Sequence, residues 1–146
     1  MPLPGSGYTV GVDIVRRVGT RVLAAVVIAG LLTSCGEAQE SAVESVAADF
    51  VAAVQQQDGQ TACSLLSPAA RSELEQSSGK QCAQAVLEED IQAGPVEQVS
   101  VFETMAQVML GDQALFLSDF DTRWLVTAAA CSPVPHRPYD CSIQGS

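Results

Sequence analysis

The apolar residues of this chain change their period once, at Gly94-Pro95. Ahead of that point, Val43, Val46, Ala47, Phe50, Val51 and Val54 fall at offsets of 0, 3, 4, 7, 8 and 11. Those offsets lie on a single helical face. Beyond it, Val99 and Val101 alternate with Gln98 and Ser100, the two-residue period of a strand. Helices first and strands afterwards constrain the chain to an α+β layout, with the helices packed on one face of a sheet.

Punctuation refines the layout. Ser41-Ala42-Val43-Glu44 has the form of a capping box and predicts a helix running to Asp58-Gly59, with Gly59 in the left-handed C′ position. A short helix through Ala62, Leu65 and Leu66 follows. Ser67-Pro68 supplies an N-cap and an N1 proline for a helix to about Gln76, which Ser77-Ser78-Gly79 ends. Ser78 with Gln81 forms a second capping-box pattern ahead of Cys82, Ala85 and Val86. The Glu88-Glu89-Asp90 run disfavours extending that helix, because anions oppose the dipole at a helix C-terminus. In the second half, strands are predicted around Val99, over 104–110, 113–119 and 123–130. Short turns between them favour a four-stranded antiparallel meander. Pro133, Pro135 and Pro138 predict a tail that does not extend the sheet.

The N-terminal region reads as a targeting segment. Arg16, Arg17 and Arg21 precede an apolar run from Val22 to Leu32, and small residues follow. At about 1.5 Å per residue that run is far too short for a bilayer core of about 30 Å. With residues 1–34 removed as a signal peptide, ~110 residues remain, enough for one core. The chain's net charge of −10 then becomes about −12, because the removed segment carries three Arg and one Asp. Such a charge disfavours nucleic acid and anionic head groups as partners.

Beyond residue 35 four cysteines remain: Cys63, Cys82, Cys131 and Cys141. An even count in an exported chain reads as two disulfides with three available connectivities. Local loop closure favours Cys63–Cys82 and Cys131–Cys141. A zinc site lacks its usual close cysteine pairs, and no Cys-x-x-Cys redox motif is present.

Leu32-Thr33-Ser34-Cys35 resembles the lipobox of bacterial lipoproteins. The resemblance implies diacylglyceryl modification of the Cys35 thiol, cleavage before it, and a protein held at the extracytoplasmic face of the cell membrane by its lipid anchor. Residues 35–40 would then be a lipidated tether, and 41–146 a single α+β domain. Stretched out, Gly36 to Glu40 reach roughly 17 Å. The helix-then-meander order resembles the cystatin-like, NTF2-like fold, including SnoaL and ketosteroid-isomerase relatives. A narrower resemblance, to a group of small actinobacterial lipoproteins, rests on Ala62-Cys63-Ser64-Leu65-Leu66, Cys82, Trp124 to Cys131 and Pro138-Tyr139-Asp140-Cys141. That group often has Gly before the late Trp and before the following Cys, where this chain has Arg123 and Ala130.

Catalytic constellations are sparse. The one His, His136, lies in the Pro-rich tail, and no Gly-x-Ser-x-Gly elbow, phosphate loop or dinucleotide fingerprint occurs. Asp119 and Asp121 would share a face if both were in a strand, but they fall at a predicted turn. Isomerase chemistry of the ketosteroid type needs a carboxylate base with Tyr or protonated-Asp donors in an apolar cone. Tyr139 is the one Tyr beyond the signal segment, and Asp112 and Asp119 bracket the third strand. Met105, Met109, Phe116 and Trp124 are candidate pocket walls, with ordinary core packing as the competing role. The expectation is a non-catalytic envelope module, without cofactor or metal, that binds a neighbouring envelope protein or a small apolar ligand. The alternatives are an NTF2/SnoaL-like isomerase or cyclase for a small apolar substrate, and a hydrophobic-ligand carrier.

Overall fold

The computed structural model describes residues 34–145 apart from 122 and 137, and of Ser34 and Cys35 the backbone alone. Among the described residues, four helices precede five strands: α1 Ser34–Gln55, α2 Gly59–Leu65, α3 Pro68–Ser78, α4 Cys82–Ala85, β1 Gln98–Phe102, β2 Met105–Leu110, β3 Gln113–Phe120, β4 Arg123–Ser132 and β5 Asp140–Gln144. The sheet is antiparallel throughout, in the order β1-β2-β3-β4-β5. The α+β layout read from the period change is therefore present, with five strands instead of the expected four.

In α1 the expected stripe is the buried one: Val43, Ala47, Phe50, Val51 and Val54 enter the core, and Val46 packs beside them. Burying a side chain such as Phe50 contributes about 1.5–3 kcal/mol. The start of α1 differs from expectation. The helix begins by Ser34, so Ser41 lies inside it and does not cap it. Glu37, Ala38, Glu40 and Ala42 are strong helix formers, and Glu37 in the first turn suits the dipole.

The junction after α1 also departs from expectation. Gln57, at φ 60°, takes the left-handed position, and Asp58 caps α2 by accepting the Thr61 amide at 3.1 Å and its hydroxyl at 2.6 Å. Gly59 is buried at the first turn of α2, where a Cβ would overlap the Ala83 carbonyl. Its role is close approach of α2 to α4, not a C′ turn. Ser67 caps α3 as expected, accepting the Ala70 amide at 3.2 Å, and Gly79 ends α3 at φ 67°. The second capping box does not form. The Ser78 hydroxyl donates to Leu74 O, and Glu75 Oε1 accepts the Cys82 amide at 3.0 Å in its place.

Two disulfides form, Cys63–Cys82 between α2 and α4 and Cys131–Cys141 between β4 and β5. The tail expected to leave the sheet returns to it as β5. All three tail prolines fall at 133–138, so Asp140–Gln144 is free of Pro and pairs with β4. Beyond the end of β5, the Ser67 amide donates to Val126 O at 2.8 Å, so the segment between α2 and α3 continues the cover of β4's edge. In β4, Ala130 sits at φ 51° between Ala129, in the helix-side core, and Cys131, in the cluster on the other face. The left-handed bulge there is the conformation Gly adopts most readily, although Ala occupies it here.

Candidate functional site

Alternation along β2 and β3 divides the sheet into two faces. Ala106, Val108, Leu110, Leu115 and Leu117 point toward the helices and are buried in one core with Trp124 and Val126. Met105, Gln107, Met109, Phe116, Ser118 and Phe120 point the other way. Part of this outer face is closed by the tail. Ala114, Ala128 and Cys131 form a small buried cluster beneath Met109, Phe116, Tyr139 and Cys141. Phe116 and Tyr139 meet edge to face at 5.2 Å, and Gln107 Nε2 donates to the Tyr139 hydroxyl at 2.9 Å. An open groove of about 340 Å³ runs beside them, walled by Phe116, Ala128, Pro138 and Tyr139.

The other part is open. Among the described residues, three large apolar side chains are exposed: Phe102 at 64%, Met105 at 59% and Phe120 at 44%. All three belong to one corner of the outer face. Phe102 pairs with Met105 across the β1–β2 turn, and Met105 pairs with Ser118, two residues before Phe120. The β1–β2 and β3–β4 turns share one end of the meander, and the Asp119 amide donates to Thr104 O at 2.8 Å between them. Each turn opens on an acidic residue in the left-handed region, Glu103 at φ 56° and Asp121 at φ 52°. Asp tolerates that conformation; Glu does so at a cost of about 1–2 kcal/mol.

The residues singled out in the sequence separate here. Met105, Met109 and Phe116 share the outer face, whereas Trp124 lies on the opposite side, in the helix-packed core. They do not wall one pocket. Asp119 and Asp121 are also parted: Asp119 pairs with Trp124 in β3 and has Oδ1 buried without a hydrogen-bond partner, while Asp121 is exposed in the turn. Asp112 is exposed beside Gly111, which holds φ 57° in the β2–β3 turn. His136 is exposed in the tail. Among the described residues, no three His, Cys, Asp or Glu side chains gather as metal ligands. Leu32 and Thr33 lie outside the described residues, and Ser34 and Cys35 enter only through the backbone of α1.

Two features of the outer face were missed in the sequence. Phe102 and Phe120 read as turn residues, although their alternation with Val101 and Asp119 carries the signal of an outer-face row. Tyr139 read as tail, and nothing local shows that the tail folds back over Phe116. Compared with protein-family models, with curated proteins and with solved structures, the chain matches none.

Proposed function

We propose that this protein is a lipid-anchored lipoprotein of the extracytoplasmic membrane face, and that it acts by docking a neighbouring envelope protein on the outer face of its sheet, without catalysis. The clustering of Phe102, Met105 and Phe120 in one corner carries this reading. Scattered exposed apolar residues need no explanation, but a contiguous group on one sheet face marks an interaction site. The lipobox resemblance at Leu32-Thr33-Ser34-Cys35 supports the anchor, and two disulfides suit an oxidising compartment. The helices-then-meander order supports kinship with NTF2-like and cystatin-like domains, enlarged here by β5.

Photo-crosslinking in living cells tests the docking reading, with the crosslinker placed at position 120 or at exposed position 73 on α3. An envelope-protein adduct from 120 and none from 73 is expected. No adduct, or equal adducts from both positions, refutes it. Intact mass of the membrane-purified protein tests the anchor: a diacylglyceryl-type adduct on Cys35 is expected, and an unprocessed chain rules it out.

The groove beside Phe116 and Tyr139 favours a second reading, a hydrophobic-ligand carrier. An apolar fluorophore displaced by Tyr139→Ala but not by Phe120→Ser would select the groove over the corner.

A further inference from the structure

We infer that the partner segment docking on the Phe102–Met105–Phe120 corner is cationic and amphipathic, with its apolar side on these three residues and its Lys or Arg side chains against Glu103 and Asp121. The inference rests on the docking reading above and adds the chemistry of the partner. Charge complementarity carries it. Glu103 and Asp121 stand exposed in the two turns that border the apolar corner, and Arg123, the one basic residue from 97 to 125, pairs with Phe120 but donates from its guanidinium to Ser64 O of α2 at 3.0 Å. The surrounding domain is strongly acidic, near −12 once the signal segment is removed, so its field extends the same preference. An apolar patch with an acidic border repels anionic bilayers and acidic segments while accepting a basic amphipathic one. Met105 adds an adaptable surface of the kind that accommodates varied apolar side chains.

The conformation of the turns permits a test that separates binding from folding. Gly is the residue a left-handed position prefers, so Glu103→Gly relieves backbone strain and Asp121→Gly adds none, while both remove charge. The probe is a synthetic Leu/Lys amphipathic peptide, titrated by fluorescence anisotropy onto the full-length protein in phosphatidylcholine nanodiscs. Leu/Glu and Leu/Gln peptides and empty nanodiscs serve as comparisons.

The Leu/Lys peptide is expected to bind, with affinity falling at least about tenfold between about 0.05 M and about 0.5 M salt. The double glycine variant is expected to bind it about tenfold more weakly, to bind the Leu/Gln peptide unchanged, and to melt no lower than the parent. Equal binding of the Leu/Glu peptide, or salt-independent binding, overturns the cationic assignment and leaves docking standing. Unchanged binding by a Met105→Ser/Phe120→Ser variant overturns both. Corner-dependent self-association in sedimentation, or corner-dependent adhesion to empty vesicles, assigns the surface to a second copy or to lipid and likewise overturns the inference.

Discussion

The two faces of this sheet are built from the same strands and are both rich in apolar side chains, yet they end in opposite conditions. The inner face buries Val108, Leu115, Leu117 and Val126 completely or nearly so, in one core with apolar residues of all four helices. The outer face is covered only where the tail folds across it, at Met109, Phe116 and Tyr139, and stays open at Phe102, Met105 and Phe120. Apolar character alone therefore does not distinguish core from exposed surface in this fold. Coverage does, and coverage is set by what the helices and the tail can reach.

The sharpest test of that contrast pairs one substitution on each face. Leu117→Ala should cost about 2–5 kcal/mol, because a fully buried side chain leaves a cavity. Phe120→Ser should change stability by about 0.5 kcal/mol or less while abolishing peptide binding. Urea midpoints of the two variants check both values. Equal losses would mean that the outer face is structural.

The two disulfides divide along the same line. Cys63–Cys82 pins the helical layer and Cys131–Cys141 belongs to the outer cluster. Replacing the first pair by Ser should lower stability by about 3 kcal/mol, and replacing the second by about half a kcal/mol less. The difference follows from sequence separations of 19 and 10 under loop-closure entropy. Calorimetry of the two double variants would show the order; a reversed order would make the outer bridge the stronger staple.

A smaller effect of opposite sign is expected where β4 moves from Ala129 on one face to Cys131 on the other. Ala130→Gly should raise stability by about 1 kcal/mol, because Gly holds φ 51° without a Cβ clash. A lower melting temperature would show that the Ala130 methyl, buried in this structure, contributes more than the strain it brings.

The smallest effect lies at the α2 cap. Hydrogen bonds from the Thr61 hydroxyl and amide hold the Asp58 carboxyl below its ordinary 3.8. A depressed folded value means that the stabilisation is present above the unfolded pKa and is lost as pH falls through the folded one. The parent should therefore lose melting temperature more steeply from about pH 4 to about pH 2 than Asp58→Asn, which keeps a capping oxygen but does not titrate. Parallel slopes in thermal melts would remove Asp58 from the acid response.

Much of the fold is legible residue by residue. The Val43–Val54 stripe, the Ser67-Pro68 start of α3 and the local cysteine pairing each rest on residues near in the chain. These are short-range rules, and short-range sequence carries them. The misplaced features arise where a neighbouring or distant residue competes with the local pattern. Ser41 has the form of a cap, but the residues before it continue the helix, and Gly59 resembles a C′ glycine until Ala83 is brought against it. Ser78 resembles an N-cap, but Glu75 reaches the Cys82 amide first.

Sequence by itself determined the α+β class and the inward stripe of α1, favoured one of three cysteine pairings and raised the expectation of an exported, anchored chain, because period, punctuation and cysteine spacing are local signals. Only the tertiary structure decided that the proline-bearing tail returns as β5, that Trp124 is core while Met105 is surface, and that Phe102, Met105 and Phe120 lie at one corner of the outer face. Alternation along a strand shows which residues share a face. Which face the helices then cover depends on how the layers pack, and no single strand carries that information.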